Sequence, residues 1–476
     1  MDRKTNLIVI LTDQFSSLLL DDESPCPLEN LNRLKADSLS FSRYYTCSPI
    51  CSPARGSIMT GLYPHTHGMV DLTNAVPKYR ADFDASREML SSLLRDNGYH
   101  CGYFGKWHIE RSYDLGSYGF EEYLTERELP MFSHKITERV VIEQEGYEPL
   151  TLAALYSDVE NEGEEAYLCS KALDFAQRHK KEPFALFVST YAPHDPYLGE
   201  EGIVRRLCQE KIRLPGSFYD DIFADKPNLY KRLRQVWEQL DEEEVRKVIA
   251  CYYAYAHELD LQIGRLIDGL KSMGLYEDSV IIFTTDHGDA MGAHGCFNKN
   301  AIPMEEVYRI PLLIKAPSIV PGETPLPVSC VDLAPTLANL MKLPGFSRAI
   351  DGESILGLLD RETETPRTLM AEYHGLRYGY SQRIVWWDRF KYVFNTFDFD
   401  ECYDLEKDPQ ELNNLVNVPE YQDTIKGLCR KMWEKEDASG DNTMMQAQYF
   451  PHRLAPVGPK CANEAAGVTG QFIKKI

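Results

Sequence analysis

The chain has 476 residues, and 51 Lys+Arg against 73 Asp+Glu leave a formal net charge of −22. With 43% hydrophobic and 26% charged residues, its composition is that of a globular protein and excludes a largely disordered chain. The acidity speaks against a nucleic-acid or anionic-membrane partner, whose phosphates need clustered Lys and Arg, but leaves room for an anion-binding pocket where basic side chains converge locally.

Asn6–Leu11 is a continuous apolar run, the pattern of a parallel strand buried on both faces. It is far shorter than the roughly 20 residues that span a bilayer. No small-residue cleavage site follows it, and it ends in Thr12-Asp13, so it reads as a strand and a cytoplasmic chain is expected. Leu28–Lys35 predicts a helix and Leu39–Tyr44 an extended segment. Glu88–Asn97 carries a helical stripe (Met89, Leu90, Leu93, Leu94) stopped by Gly98, and Tyr99–Phe104 follows as a strand. Ser157–Glu165 is acidic and reads as solvated loop or helix surface, as does Glu238–Glu244. Phe184–Thr190, Val280–Thr285 and Pro311–Lys315 predict further strands, and Val248–Met273 a long amphipathic helix closed by Gly274. This alternation predicts an α/β fold over residues 1–364, with a large mainly parallel central sheet flanked by helices. The texture then changes. Arg383–Trp387, Arg389–Asn395 and Glu401–Leu405 are short, aromatic-rich and closely spaced, which predicts antiparallel pairing. Asp408-Pro409-Gln410-Glu411 has the form of a capped helix start. Residues 365–476 are therefore expected to form a smaller C-terminal α+β domain packed on the first. The 12 cysteines are scattered without a CxxC pair, so reduced thiols are expected rather than a disulfide framework.

In open α/β sheets ligands bind at the carboxyl ends of the strands, and here each predicted strand delivers chemistry to that edge. The first gives Asp13-Gln14. The next leads to Cys47-Ser48-Pro49-Ile50-Cys51-Ser52-Pro53-Ala54-Arg55. Tyr99–Phe104 leads to Lys106 and His108, Phe184–Thr190 to His194, and Val280–Thr285 to Asp286-His287, then His294 and Lys299. Asp13 and Asp286 are hard oxygen donors suited to Ca²⁺, Mg²⁺ or Mn²⁺, and Gln14 and His287 can complete the shell. Arg55, Lys106 and Lys299 can bind an anion and neutralise charge developing on it. His108 and His194 can move protons near neutral pH. A metal, three cations and two histidines describe the hydrolysis of an anionic ester.

Cys51-Ser52-Pro53-Ala54-Arg55 followed by Thr60-Gly61 resembles the type I sulfatase motif C-x-P-S/A-R…TG. Asn6–Gln14, Gly98–His108, Thr284–Gly288, Pro311–Pro317 and Tyr403–Leu415 also look like sulfatase segments in sulfatase order. The resemblance covers most of the chain except about 121–182 and 198–246, and it implies the alkaline phosphatase superfamily fold. It further implies that a maturating enzyme oxidises Cys51 to formylglycine, whose hydrated aldehyde attacks sulfur and ligates one divalent metal. Asp13, Gln14, Asp286 and His287 would be the other ligands, with Ca²⁺ ahead of Mn²⁺ or Mg²⁺. Arg55 would hold the formylglycine, Lys106 and Lys299 would grip the sulfate, His108 would help expel it, and His194 would protonate the leaving alcohol. Many sulfatases carry two adjacent Asp where this chain has Asp13-Gln14, so Gln14 stands as a weaker, neutral ligand.

Other readings compete at several positions. Cys47 also begins a Cys-Ser-Pro but lacks an Arg four residues on. His65 and His67 read as structural or substrate-adjacent, His294 as either a substrate contact or loop packing, and Trp386 and Trp387 as sheet packing. The expected substrate is a small sulfated carbohydrate, with choline sulfate or an aryl sulfate behind it. The rivals are a phosphonate monoester or phosphodiester hydrolase of the same superfamily and, more remotely, a non-catalytic sulfoglycan binder. Specificity is expected from 121–182, 198–246 and the C-terminal part.

Overall fold

Eight strands form the central sheet of the computed structural model. Its described residues are 4–75, 77–79, 81–159, 163–210, 212–221, 224–299, 301–359, 366–375, 381–441 and 454–459. The strand order is Gly322–Thr324, Leu39–Phe41, Leu312–Lys315, Ser279–Thr285, Asn6–Thr12, Phe184–Ser189, His100–Gly105, Glu122–Thr125. All neighbours are parallel except the two pairings made by Leu312–Lys315. The three central strands are buried along their whole length. Side chains alternate across a strand, so one apolar run serves two cores: Ile8 and Ile10 pack into one cluster, Leu7, Val9 and Leu11 into the other. Helices Glu29–Ala36, Glu164–His179 and Glu242–Ser272 cover the first face. Helices Cys51–Thr60, Leu90–Asp96 and Leu333–Leu340 cover the second. The expected α/β architecture is the observed one.

Three local readings change. The long helix begins at Glu242, not Val248, because Asp241 and Glu244 form a reciprocal capping box (2.9 and 3.1 Å). The acidic stretch before it is thus partly a first helical turn, where negative charge suits the helix dipole. Ser157–Glu165 is no continuous loop either. Leu150–Val159 is a strand, paired with His134–Ile142 and Tyr197–Glu200 in a separate three-stranded sheet, and a helix starts at Glu164; residues 160–162 lie outside the described set. At Asp408-Pro409-Gln410-Glu411 no helix forms. The Asp408 carboxylate accepts from the Leu412 and Asn413 amides (3.0 and 2.8 Å), and Glu411 takes a left-handed φ of 57° while its buried carboxylate pairs with Lys391. The helix follows later, at Gln422–Ser439.

Thr368–Tyr373, Gln382–Trp387, Phe390–Asn395 and Glu401–Asp404 form a four-stranded antiparallel sheet in sequence order. Trp386 is buried and packs on Tyr45 (centroids 4.5 Å apart), donating its indole N–H to Glu305 (2.8 Å), so it is a packing residue. The expected domain boundary at 364/365 lies outside the described residues. The eleven described cysteines are all free. No helix among the described residues is long and apolar enough to cross a membrane.

Candidate active site

The parallel strands end together and set down their next residues side by side. Asn6–Thr12 delivers Asp13 and Gln14, His100–Gly105 delivers Lys106 and His108, Phe184–Ser189 leads to His194, and Ser279–Thr285 delivers Asp286 and His287. Cys51 opens the fully buried helix Cys51–Thr60, and Arg55 stands one turn further on. Glycine is required at two of these junctions. At Gly105, with φ +113°, a Cβ would run into the Ser189 carbonyl, and at Gly288 it would meet the Glu306 carbonyl.

Arg55 organises the centre. Its Nε donates to Asp286 Oδ2 (2.7 Å) and its Nη2 to Asp13 Oδ2 (3.2 Å), while Nη1 reaches the Lys106 carbonyl (3.0 Å) and Ser189 Oγ (2.8 Å). Lys106 also pairs with Asp13 Oδ2. The other oxygens, Asp13 Oδ1 and Asp286 Oδ1, each lie 3.6 Å from His287 Nε2. His287 Nδ1 sits 2.9 Å from the Gly288 carbonyl, which can only accept, so the proton is on Nδ1 and the Nε2 lone pair faces the carboxylates. Cys51 Sγ lies 3.2 Å from that nitrogen. One donor atom from each of Asp13, Cys51, Asp286 and His287 falls within 4.8 Å of the others, and all four residues are buried. Two carboxylates and an imidazole lone pair converging in this way fit a hard divalent cation.

The electrostatics single out one cysteine. Burial alone pushes the Cys51 thiol up, but Lys106 and Lys299, joined by His287 when its ring is protonated and by a hydrogen bond from His108, outweigh it and hold the thiol well below its usual range. Cys47 is buried beside Cys330 without comparable cations and is pushed well above that range. Asp13 is likewise held low: burial and the Cys51 sulfur raise it, and Lys106, His194 and Arg55 prevail. An anionic group at position 51 is therefore stabilised from several sides.

Lys299 Nζ, an obligate donor, bonds His194 Nε2 (2.9 Å) and Gln14 Oε1 (3.0 Å). His194 Nδ1 therefore carries the proton and donates to the Asp195 carbonyl (2.7 Å). Gln14 is tied at its other end, its Nε2 donating to Asp289 (2.5 Å) and Asp195 (3.4 Å), so its carbonyl faces Lys299. His108 is 8% exposed, with Nδ1 free of any hydrogen-bond partner. The structure brings Asp13, Gln14, Cys51, Arg55, Lys106, His108, His194, Asp286, His287 and Lys299 into one constellation. His294 sits apart, its Nδ1 on Asp220 (2.9 Å) and its ring edge-on to Tyr230. His67 holds Ser57 and the Pro53 carbonyl, and His65 pairs with Glu372 (2.5 Å), both structural arrangements.

Sequence reasoning missed the supports. Tyr252 in the long helix donates to the Gln14 backbone carbonyl (2.7 Å) and accepts from Ser16 N (2.8 Å), clamping the loop after the first strand. Asp289 collects Gln14, Tyr197 O–H (2.6 Å) and the amides of Met291 and Asn298. Asp289 lies two residues after His287. No local signal marks Tyr197 or Tyr252.

Comparison with known proteins agrees with this geometry. The sulfatase family profile matches residues 5–343, and that of the N-sulphoglucosamine sulphohydrolase C-terminal region matches 292–438. The chain is 31% identical to a choline-sulfatase of Rhizobium meliloti (strain 1021) over 438 residues, 87% of this chain and 83% of that one. It is 24% identical to an N-acetylglucosamine-6-O-sulfatase of Bacteroides thetaiotaomicron, over 92% of this chain and 88% of that one. Its fold is shared with a phosphonate monoester hydrolase of Silicibacter pomeroyi (TM-score 0.76, 21% identity, 93% and 97% covered). The family match over most of the chain and the relative at 31% identity show that it belongs to the sulfatase family and is a sulfuric ester hydrolase.

Proposed function

We propose that the protein hydrolyses the sulfate ester of a small carbohydrate through a formylglycine made from Cys51. The observation that carries this reading is the setting of Cys51: among the described cysteines it stands alone in a buried nest of Lys106, Lys299 and His287, opposite Asp13 and Asp286. Asp13, Asp286 and His287 would hold a divalent cation, Ca²⁺ before Mn²⁺ or Mg²⁺, with Gln14 contributing least because its carbonyl is engaged by Lys299. Such a cation, when bound, lowers the cost of negative charge on the reacting oxygens, and the aldehyde hydrate supplies the nucleophile.

The remaining work falls to the protein's own side chains. Arg55 fixes both carboxylates and keeps position 51 in register with them. Lys106 and Lys299 grip the sulfate oxygens and offset charge as the S–O bond breaks. His194, oriented by Asp195, receives a proton at Nε2 from Lys299 and passes it to the departing alcohol oxygen. His108, bonded to position 51 from the other side, takes the proton that lets sulfate leave. A formylglycine-generating enzyme is the required partner.

A panel of sulfated sugars assayed for released sulfate, with an aryl sulfate and an aryl phosphonate in parallel, tests the reading. Sulfate release from a sugar, and a higher kcat/KM on aryl sulfate than on aryl phosphonate, are expected. The reverse preference would make the chain a phosphonate monoester hydrolase.

A further inference from the structure

Two histidines and a glutamate meet at the end of the central sheet opposite the catalytic residues. His100 opens the strand His100–Gly105, His179 closes the helix Glu164–His179, and Glu182 follows in the turn that leads into the strand Phe184–Ser189. The His100 amide donates to the Pro183 carbonyl (3.0 Å), which ties the first strand to that turn. The two imidazole rings stack with centroids 4.8 Å apart, and Phe175 packs against the His179 ring. His100 Nε2 and His179 Nδ1 lie 3.1 and 3.6 Å from the same oxygen, Glu182 Oε2. One donor atom from each of the three residues falls within 4.8 Å of the others. Lys106 stands at the far end of the strand that His100 opens, about 20 Å away at the rise of an extended chain, so this cluster is separate from the catalytic centre.

The outer side of each ring decides which nitrogen is left to act as a ligand. His100 Nδ1 lies 3.1 Å from Glu121 Oε2, and His179 Nε2 lies 2.9 Å from Glu122 Oε1, a carboxylate held in turn by two bonds from Arg178 (2.8 and 2.6 Å). A carboxylate only accepts, so these two nitrogens carry protons. The lone pairs of His100 Nε2 and His179 Nδ1 then face the Glu182 oxygen, and His179 Nδ1 is shielded from solvent with no hydrogen-bond partner. Three acceptors converging on one point call for a cation between them, whereas protonating both rings would stack two cations face to face. Tetrahedral Zn²⁺ holds its donors about 3.3 Å apart, which the 3.1 and 3.6 Å separations match. A histidine ligand backed by a carboxylate is the arrangement that orients imidazoles on metals, and the helix end adds negative potential beside His179. We infer that His100, His179 and Glu182 bind a transition-metal ion of the Zn²⁺ class, with water at the open position. Imidazole nitrogens select such an ion over Ca²⁺, which suits the oxygen-rich catalytic centre. The ion links the helix end to the starts of two strands, one delivering Lys106 and His108 and the other leading to His194, and so braces the scaffold without entering the reaction.

The test is Zn²⁺ binding to the full chain saturated with Ca²⁺, followed by calorimetry and by elemental analysis after dialysis. One Zn²⁺ per chain is expected, with a Kd below about 10 μM and a rise in the thermal unfolding midpoint as Zn²⁺ is added. His100→Gln and His179→Gln should each abolish that binding. Glu122→Gln, which touches no metal and only orients His179, should weaken it about 10- to 100-fold; its graded effect keeps the test decisive if a histidine variant folds poorly. Asp286→Ala, which removes a ligand of the catalytic centre, should bind Zn²⁺ as the unaltered chain does. Weaker binding than about 10 μM by the unaltered chain would overturn the assignment. So would unchanged binding in His100→Gln, His179→Gln or Glu122→Gln, or its loss in Asp286→Ala, which would put the ion in the catalytic centre instead. Sulfate release enters none of these readouts, so the site stands or falls independently of the proposed reaction.

Discussion

His287 shows how one hydrogen bond decides what a side chain can do: with Nδ1 committed to the Gly288 carbonyl, only the Nε2 lone pair is left for the centre. Asp286 brings a charged oxygen to the same point, whereas the Gln14 carbonyl is held by Lys299. Asp286→Ala should therefore remove both bound metal, measured by elemental analysis, and activity, while Gln14→Ala should keep most of its metal. Equal metal loss in the two variants would contradict this ranking. The two histidines separate by leaving group. A general acid contributes roughly 10²–10⁴-fold, most where the leaving alcohol is basic. His194→Ala should cripple hydrolysis of a sugar sulfate and spare nitrophenyl sulfate, and His108→Ala should slow both alike and let sulfated enzyme accumulate, seen as intact mass after quenching. Most of these residues were legible in the sequence because each follows a strand directly or sits in the Cys51–Arg55 run. Tyr252 was not: its bond to Gln14 joins residues 238 apart, which leaves no local pattern. His294 illustrates the converse, a plausible polar residue whose partner, Asp220, draws it away.

At the level of elements, boundaries follow capping chemistry more closely than apolar periodicity. The stripe beginning at Val248 marks the buried face of the long helix, but Asp241 sets its start. Asp241→Ala should cost about 0.5–2 kcal/mol in urea unfolding, since it frees a first-turn amide. The same logic explains why Asp408-Pro409-Gln410-Glu411 misleads. Its residues satisfy a helix start locally, yet Glu411 is drawn into the buried pair with Lys391, and the backbone turns left-handed to reach it. Tertiary pairing overrides the local signal. Gly105→Ala should be far more damaging than a surface Gly→Ala change, because the strand end cannot approach Ser189 with a Cβ in place. Loss of folded protein and of Lys106 function together is the expected result, read by thermal unfolding and activity on the same sample.

For the molecule as a whole, the large sheet was legible because its central strands are buried on both faces and so appear as unbroken apolar runs. The three-stranded sheet built on His134–Ile142 and Leu150–Val159 was not, since the first half of His134–Ile142 only alternates half-buried with exposed polar positions and the segment carries no family-like motif. Burying so many acids in a chain of net charge −22 also shapes its stability. Burial raises the Asp400 carboxyl to about 7, above the ordinary 3.8. The folded chain therefore holds a proton there that the unfolded chain gives up above pH about 4, and stability falls as pH rises from about 4 to about 7. Asp400→Asn should flatten that part of the profile, measured as urea midpoints across the range. The account as a whole depends on Cys51. Enzyme produced alongside a formylglycine-generating enzyme should be active, and mass spectrometry of its tryptic peptides should show Cys51 converted to the aldehyde with Cys47 intact; full activity in protein whose Cys51 remains a thiol would contradict it.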